Sequence, residues 1–241
     1  MILHTTDLFK LMTKSECDLK SCFLCRFCLS DWLPAVAANR ENISVKRGQL
    51  LFKEGDPVRG IYFIYSGAVK VHKRWGSEKE LILRFARQGD IVGHMALGKD
   101  TVYPISATAV EAGIVCYVSI DFFESTLAIN NRLARQLVFV LANDLQESEK
   151  RMRNLAHMPV KGRVAQALLT LKAQFGTTTE GYINIELTRQ DLSSFTGAAY
   201  ESLFRAMNEL VEEGVIIAIG KSISIVDESA LIKLASETEL S

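Results

Sequence analysis

The residues most able to do chemistry in this 241-residue chain are its cysteines. Four of the five lie in the stretch CDLKSCFLCRFC, residues 17–28, and the fifth, Cys116, lies in the distant apolar run GIVCYV. Thiolates are soft ligands that suit an iron–sulfur cluster or a tetrahedral zinc ion. The spacing C-x4-C-x2-C-x2-C could supply four zinc ligands without Cys116, and redox-active thiols need no metal. The residues alone therefore leave iron–sulfur, zinc and thiol chemistry open.

Composition limits where such a protein works and what it binds. The chain is 48% hydrophobic, has a formal net charge of zero and contains no apolar run long enough to span a membrane. Its first residues lack the basic and then apolar order of a signal peptide. We therefore expect a soluble, cytoplasmic protein that does not bind membranes. In that compartment clustered cysteines more often bind metals than form disulfides.

Motifs typical of enzymes and of covalent haem attachment are missing from the sequence. No G-x-S-x-G, P-loop or H-E-x-x-H pattern occurs at convincing spacing. No Cys-x-x-Cys-His pattern is present to attach a c-type haem. We therefore do not expect an enzyme.

Hydrophobic patterning divides the chain into a cysteine-rich leader, residues 1–30, and three further parts. Over residues 31–125, short alternating or apolar runs are separated by glycine turns, which predicts an antiparallel sandwich or barrel. Over residues 126–157 the apolar period becomes about 3.6, which predicts one long helix. Residues 158–241 have the pattern of a small domain of helices and a hairpin. The predicted fold class is therefore α+β.

The long predicted helix carries a narrow apolar stripe, which is typical of a helix that pairs with a copy of itself. A helix packed on its own domain would show a similar stripe, so this alternative stays open. Two facing copies of Asp144 would repel each other and weaken such a dimer. Pro159 and Gly162 predict a hinge after the helix. The predicted dimer-interface residues are Leu133, Leu137, Val140, Leu141, Asp144 and Ser148.

The last domain shows the pattern of a helix-turn-helix followed by a β-hairpin. Thr188 and Asp191 have a spacing similar to a capping box at the start of the first helix. Gly197 lies where a tight turn between two helices favours a positive φ. The hairpin turns at Gly220 and Lys221. A hairpin beside a helix-turn-helix is a recurrent DNA-binding arrangement.

The second of these helices has two predicted faces. Its buried stripe would consist of Leu203, Met207, Leu210 and Val211. The opposite face near the helix N-terminus would meet base edges in the DNA major groove, and its residues are Tyr200, Glu201, Phe204 and Arg205.

The charge of this domain restricts how it could bind DNA. Residues 161–241 contain seven Lys and Arg against eleven Asp and Glu. Phosphate contacts must therefore come from a few cations, among which we expect Arg189 and Lys221, and from helix N-termini. We expect modest affinity for each monomer and a dependence on dimerisation.

This order of parts resembles the family of the cyclic-AMP receptor protein and the fumarate-and-nitrate-reduction regulator (CRP/FNR). The resemblance covers about residues 30–230 and is carried by GQLLFKEGDPVRGIYFIYSGAVKV, GDIVG and TRQDLSSFTGAAYESLFRAMNELVEEGVI. It implies that residues 31–125 form a sensory β-roll. It also implies a homodimeric transcription regulator that binds double-stranded DNA, with RNA polymerase as a partner. Glu201 and Arg205 match the family's base-reading Glu and Arg, which implies a palindrome with TTGA-like half-sites. Phe204 departs from the small Ser usual in the iron–sulfur branch.

The iron–sulfur branch of the family holds an oxygen-labile [4Fe-4S] cluster with three leader cysteines and one cysteine of the β-roll. By this resemblance Cys22 and Cys25 match the C-x2-C of the branch, Cys28 is the third leader ligand, and Cys116 is the distant ligand. The spacing between Cys25 and Cys28 is shorter than in the familiar enterobacterial pattern, so Cys17 could substitute for one of the others. The implied cofactor is a [4Fe-4S] cluster, with zinc as the alternative, and the implied signal is oxygen or nitric oxide.

The cyclic-nucleotide branch of the family is not expected. Its pocket has a Glu for the ribose hydroxyl and an Arg for the cyclic phosphate, whereas the matching stretches here are Gly93-His94-Met95 and Tyr103-Pro104-Ile105. Burying a cyclic phosphate without a cationic partner would be costly. A regulator of the same fold that senses zinc, haem, thiol oxidation or a small ligand, or that has no effector, is the remaining alternative.

Overall fold

The computed structural model describes residues 20–76 and 79–236, and Cys17 lies outside them. The helices are α1 (Phe23–Phe27), α2 (Leu33–Asn39), α3 (Ile120–Ile129), α4 (Asn131–His157), α5 (Val160–Phe175), α6 (Arg189–Thr196), α7 (Tyr200–Glu212) and α8 (Glu228–Ser236). The strands are β1 (Arg40–Val45), β2 (Leu50–Phe52), β3 (Gly60–Ser66), β4 (Val69–Trp75), β5 (Lys79–Ala86), β6 (Ile91–Val92), β7 (Ser106–Ala109), β8 (Gly113–Ser119), β9 (Ile216–Ile219) and β10 (Ser222–Ile225).

The first eight strands form the predicted β-roll. One antiparallel sheet has the order β1-β8-β3-β6, and the other has the order β2-β7-β4-β5. A core cluster that includes Phe52, Ile64, Val71 and Val115 draws on strands of both sheets. Together with the long helix and the helix-turn-helix with its hairpin, this confirms the predicted α+β fold class.

A second apolar cluster joins the first sheet to the leader and to α3 and α4. It contains Leu24 from α1, Val118 from β8, Phe123 from α3 and Leu133 from α4. The leader therefore packs on the β-roll through short helices. Patterning did not predict α1 and α2, because helices of five and seven residues are too short to show a period.

The long predicted helix is divided in two. Helix α3 ends at Ile129, and Asn130 has φ −105° and ψ 77° before α4 begins. The buried Asn130 side chain donates to the carbonyl of Thr126 (2.8 Å) and accepts from the backbone N–H of Leu29 (2.7 Å). Asn130 therefore stabilises the break and also attaches the leader to the helix junction.

The predicted hinge is shorter than expected. Helix α4 ends before Met158 and Pro159, and α5 begins at Val160. Gly162 lies inside α5, where an added Cβ would be 2.9 Å from the carbonyl oxygen of Leu234 in α8. The prediction of Gly162 as a hinge residue was wrong, because this glycine permits close packing of α5 on α8.

The C-terminal domain consists of α5–α8 and the β9–β10 hairpin. The hairpin pairs Ile219 with Ser222 around Gly220, as predicted. The core cluster of this domain also contains Ile82 and Phe85 from β5, so the domain packs on the second sheet of the β-roll. Among the described residues, none of the helices combines the length and apolarity needed to cross a membrane.

Candidate functional site

The helix-turn-helix is formed by α6 and α7. At the start of α6, Thr188 Oγ1 accepts from the backbone N–H of Asp191 (3.0 Å), and Asp191 Oδ2 accepts from the N–H of Thr188 (3.2 Å). Gly197 ends α6 with φ +61°, a conformation that costs a residue with a Cβ. The capping pair at the start of α6 and the glycine at its end, both predicted from the sequence, are therefore present in the structure.

Helix α7 separates a buried face from an exposed face. Leu203, Met207 and Leu210 are buried as predicted, but Val211 is 42% exposed, so its assignment to the buried stripe was wrong. The residues exposed near the helix N-terminus are Tyr200, Glu201, Phe204 and Arg205. These side chains cover one accessible face that offers a carboxylate, a guanidinium and two aromatic rings.

The two further predicted DNA-binding cations have different environments. Lys221 is exposed at the turn of the β9–β10 hairpin. Arg189 is half-buried at the start of α6, and burial lowers its pKa. Its Nη1 atom has no hydrogen-bond partner within the described residues. Lys221 is thus the more accessible of the two cations.

The described cysteines lie at one end of the β-roll. Cys22 and Cys28 flank α1, Cys25 lies within it, and Cys116 lies on β8. Cys22, Cys25 and Cys116 are buried in the apolar cluster under the leader, and Cys28 packs against its edge. No disulfide joins any two of these four cysteines.

Aromatic contacts place α1 over the strand that carries Cys116. Cys116 is the cross-strand partner of Phe63 on β3, so their side chains share one face of the sheet. The Phe63 ring stacks on Phe23 of α1 with 6.5 Å between centroids. Burial, with Cys22 nearby, raises the pKa of Cys28 to about 11, so this thiol is protonated at neutral pH.

The four described cysteines are suitable metal ligands, but their side chains are not arranged as a metal site in this structure. Across residues 20–76 and 79–236, no three His, Cys, Asp or Glu side chains are close enough to hold a metal ion. Four thiols around one apolar cluster nevertheless fit an iron–sulfur cluster or zinc in donor type and in setting.

Helix α4 has two apolar faces, and the predicted stripe mixed them. Leu133, Leu137 and Val140 pack against the apolar cluster of their own subunit. The exposed face follows a heptad spacing and consists of Val138, Leu141, Leu145, Ser148, Met152 and Leu155. Of the six predicted interface residues, only Leu141 and Ser148 lie on this face. The faces run side by side on one helix, which is why spacing alone did not separate them.

Asp144 does not lie on the exposed heptad face. Its Oδ2 atom is 2.9 Å from Nε2 of His94, which is 1% exposed, and 3.9 Å from Nε of Arg84. Burial raises the pKa of Asp144, but the bond to His94 and the charge of Arg84 outweigh this and lower it. The expectation of two facing Asp144 carboxylates is therefore replaced by a contact with the β-roll of the same subunit.

The position of His94 connects α4 to the region that matches the cyclic-nucleotide pocket. In that region the ring of Tyr103 stacks on Phe52 at 4.1 Å, and its hydroxyl donates to the carbonyl of Gly60 (2.7 Å). Burial lowers the pKa of His94, which favours the neutral ring. The side chains of His94 and Tyr103 therefore form their hydrogen bonds with other residues of the chain.

Ion pairs join the β-roll to the first helix of the helix-turn-helix. Lys70 Nζ on β4 is 2.6 Å from Glu80 Oε1 on β5 and 2.9 Å from Asp191 Oδ1 on α6. The buried His72 is 2.9 Å from the other Glu80 oxygen. Burial raises the pKa of Glu80, but its bonds to His72 and Lys70 lower it to about 2. Sequence patterning gave no signal for this network, because Lys70 and Asp191 are 121 residues apart.

Two arginines hold backbone carbonyls near the turn of the helix-turn-helix. Arg151 of α4 donates to the carbonyls of Ile82 (2.9 Å), Phe195 (2.7 Å) and Leu83. Arg163 of α5 donates to the carbonyls of Thr196 and Gly197, each at 3.0 Å. These contacts link the end of α6 to α4 through Arg151 and to α5 through Arg163, and the sequence analysis missed both arginines.

Comparison with known families matches both halves of the chain. Residues 42–130 match the cyclic nucleotide-binding domain, and residues 162–234 match the Crp-like helix-turn-helix domain. The structure of FixK2 from Bradyrhizobium japonicum has a similar fold, with a TM-score of 0.72 and 23% sequence identity, over 81% of this chain and 96% of that chain.

Curated relatives match most of the length of the chain. The anaerobic regulatory protein of Bacillus subtilis is 33% identical over 183 residues, 73% of this chain and 77% of that protein. The transcriptional activator protein FnrA of Stutzerimonas stutzeri is 24% identical over 241 residues, 95% of this chain and 97% of that protein. A CRP-like cAMP-activated global transcriptional regulator of Mycobacterium tuberculosis is 28% identical over 205 residues, 84% and 92% of the two chains. The chain therefore belongs to the CRP/FNR family of DNA-binding transcription regulators.

Proposed function

We propose that this regulator acts as a homodimer whose DNA binding responds to oxygen or nitric oxide through a [4Fe-4S] cluster held by Cys22, Cys25, Cys28 and Cys116. The main observation in support of this proposal is that one apolar cluster contains three of these cysteines and contacts the fourth. The relatives named anaerobic regulatory protein and FnrA are consistent with this proposal. When bound, such a cluster supplies iron–thiolate bonds from the leader to β8 and an inorganic core that oxidants attack.

The residues around the cysteines give the leader a mechanical connection to α4. Leu133 and Leu137 at the start of α4 belong to the same apolar cluster as Cys22, Cys25 and Cys116. Asn130 ties the leader to the α3–α4 junction through the N–H of Leu29. A change in the position of α1 would therefore change the packing at the base of α4, because these side chains share one core.

The exposed face of α4 would form the dimer interface. Val138, Leu145 and Met152 are 61%, 60% and 64% exposed, and their heptad spacing suits a parallel helix pair. A two-fold dimer presents two α7 helices to a palindrome, which favours two half-sites about one turn of DNA apart. Glu201 and Arg205 would contact base edges of a TTGA-like half-site, and Phe204 and Tyr200 would pack beside them. RNA polymerase is the expected protein partner of the bound dimer.

Metal analysis of protein purified without oxygen tests the cofactor. We expect about four iron and four acid-labile sulfide per chain, with a visible absorbance that fades in air. Cys116→Ser should lose this iron and the air-sensitive DNA binding. Cys17→Ser is the matched control and should retain both.

Three results would contradict the proposal in different ways. One zinc per chain and no sulfide would replace the cluster with a zinc site. Metal-free protein that binds DNA equally in air and without it would remove the sensing function and leave the DNA-binding family assignment intact. Loss of iron in Cys17→Ser, but not in Cys28→Ser, would exchange these two residues in the ligand set.

A further inference from the structure

A cavity of about 480 Å³ lies between the β-roll, α4 and the DNA-binding domain. Its walls come from Phe23 of α1, from β5, from the loop before β6 and β6 itself, and from α4, α5 and α6. Phe85 of β5 and Phe195 of α6 give it an apolar side, with ring centroids 5.0 Å apart in an edge-to-face arrangement. Cavities of this volume, mostly apolar with a few polar groups, are typical of small-molecule sites. None of the four described cysteines lines this cavity.

Three of the cations at the cavity wall form no ion pair with any residue that the structure describes. Lys150, Arg151 and Arg163 all line the cavity. Arg151 and Arg163 donate to backbone carbonyls, and neither forms an ion pair within the part of the chain that the structure describes. Burial lowers the pKa of both guanidinium groups. Buried charges are costly without a counter-charge, so an anion in this cavity would stabilise both.

The carboxylates at the same wall do not cancel this positive charge. Asp144 is already bonded to His94 and lies near Arg84. Asp90 accepts from the backbone N–H of Arg87 (2.9 Å), and burial raises its pKa. Glu147 is solvent-exposed, although its charge acts on Arg151. The buried Nε atom of Arg84 and that of Arg163 also have no acceptor among the residues described.

We propose that this interdomain cavity binds a small organic anion, whose acidic group lies beside Lys150, Arg151 and Arg163 and whose apolar body packs against Phe85 and Phe195. Such a ligand would touch the β-roll, the long helix and the helix-turn-helix at once. It would stabilise the arrangement of domains described above, because a ligand favours the conformation that it contacts best. No described cysteine lines the site, although α1 contributes Phe23 to its wall, so the ligand would add a second input that acts beside the cysteines.

Two fluorescent probes with one aromatic body test the charge requirement. Anilinonaphthalene sulfonate carries an anion, whereas N-phenylnaphthylamine is neutral. We expect saturable binding of the sulfonate at one site per chain, and binding of the neutral probe about tenfold weaker.

Matched variants test the location of the probe. Lys150→Glu should weaken sulfonate binding about tenfold, while Lys99→Glu makes the same charge change in an exposed loop away from the cavity and should not. Gln166→Trp should abolish binding by filling the cavity, while Gln190→Trp on the exposed side of α6 should leave it unchanged. Circular dichroism confirms that each variant is folded.

The outcomes that would overturn the inference are distinct. Equal affinity for the two probes would refute the anion subsite. Sulfonate binding that is unchanged in both Lys150→Glu and Gln166→Trp would place the probe elsewhere and refute the cavity. Failure of the folded wild-type protein to bind the sulfonate saturably would refute the site altogether. None of these results depends on the iron content of the protein.

Discussion

Replacing Leu145 with Ala should weaken the proposed homodimer without unfolding the subunit. Leu145 is 60% exposed in the single chain, so a partner helix could cover more than half of its surface. Full burial of a leucine side chain is worth about 1.5–3 kcal/mol, and covering 60% of it is therefore worth about 1–2 kcal/mol. A two-fold interface contains the contact twice, which gives about 2–4 kcal/mol per dimer. The dissociation constant should rise about 30- to 1,000-fold.

Sedimentation equilibrium on protein prepared without oxygen measures this constant. Val140→Ala is the control on the same helix, because Val140 packs against its own subunit. We expect this control to lose thermal stability by creating a small cavity while its dissociation constant stays the same. Wild-type association of Leu145→Ala, or an equally weakened Val140→Ala dimer, would refute the assignment of the two faces of α4.

Three further variants test the domain contacts and the DNA interface. Lys70→Met should lower the free energy of unfolding at neutral pH by about 2 kcal/mol, because partly buried carboxylates lose their partner. The pKa of Glu80 is lowered from 4.5 to about 2, so the stability lost in Lys70→Met should become smaller as pH falls from 4.5 to 2. Urea unfolding that shows the same loss at every pH would contradict this prediction. The pKa of His94 is lowered from 6.5, so as pH falls this histidine is protonated in the unfolded chain before it is protonated in the folded one. The stability of the wild-type protein should therefore fall as pH drops below 6.5. A His94→Gln variant whose stability has the same pH dependence would rule out this role of His94. Arg205→Ala should weaken binding to a TTGA palindrome about 10- to 100-fold, measured by fluorescence anisotropy at fixed salt, and an equal loss on a scrambled duplex would argue against base contact.

Local patterns in the sequence were sufficient for the fold and for the recognition helix. Glycine-punctuated strands predicted an antiparallel sandwich or barrel, which the family resemblance specified as a β-roll. The spacing of Thr188, Asp191 and Gly197 predicted the helix-turn-helix. These features depend on residues a few positions apart, which is the range over which period and turn chemistry act. Family membership also confirms that the chain is a transcription regulator and not an enzyme.

Contacts between residues far apart in the sequence could not be predicted from local patterns. Leu137 and Leu145 are both leucines at near-heptad positions, yet one is 5% exposed and the other 60%. Hydrophobicity alone does not distinguish packing on the same domain from packing on a partner. The bond of Asp144 to His94 likewise joins residues 50 positions apart, and no local period reports such a pair.

The hydrogen bonds that Arg151 donates to its neighbours go to main-chain oxygens, and its guanidinium also lies over the Phe195 ring, 4.8 Å from the centroid. The carbonyls of Ile82, Leu83 and Phe195 would be present with any side chain at those positions. These hydrogen bonds therefore persist when the side chains at residues 82 and 83 change, whereas position 195 also needs an aromatic ring to keep its contact with the guanidinium. Arg151 itself has no such latitude, because a lysine ammonium lacks the planar set of five donors that reaches two separate chain segments. Across related sequences, drift around an unchanging arginine would be the signature of this contact.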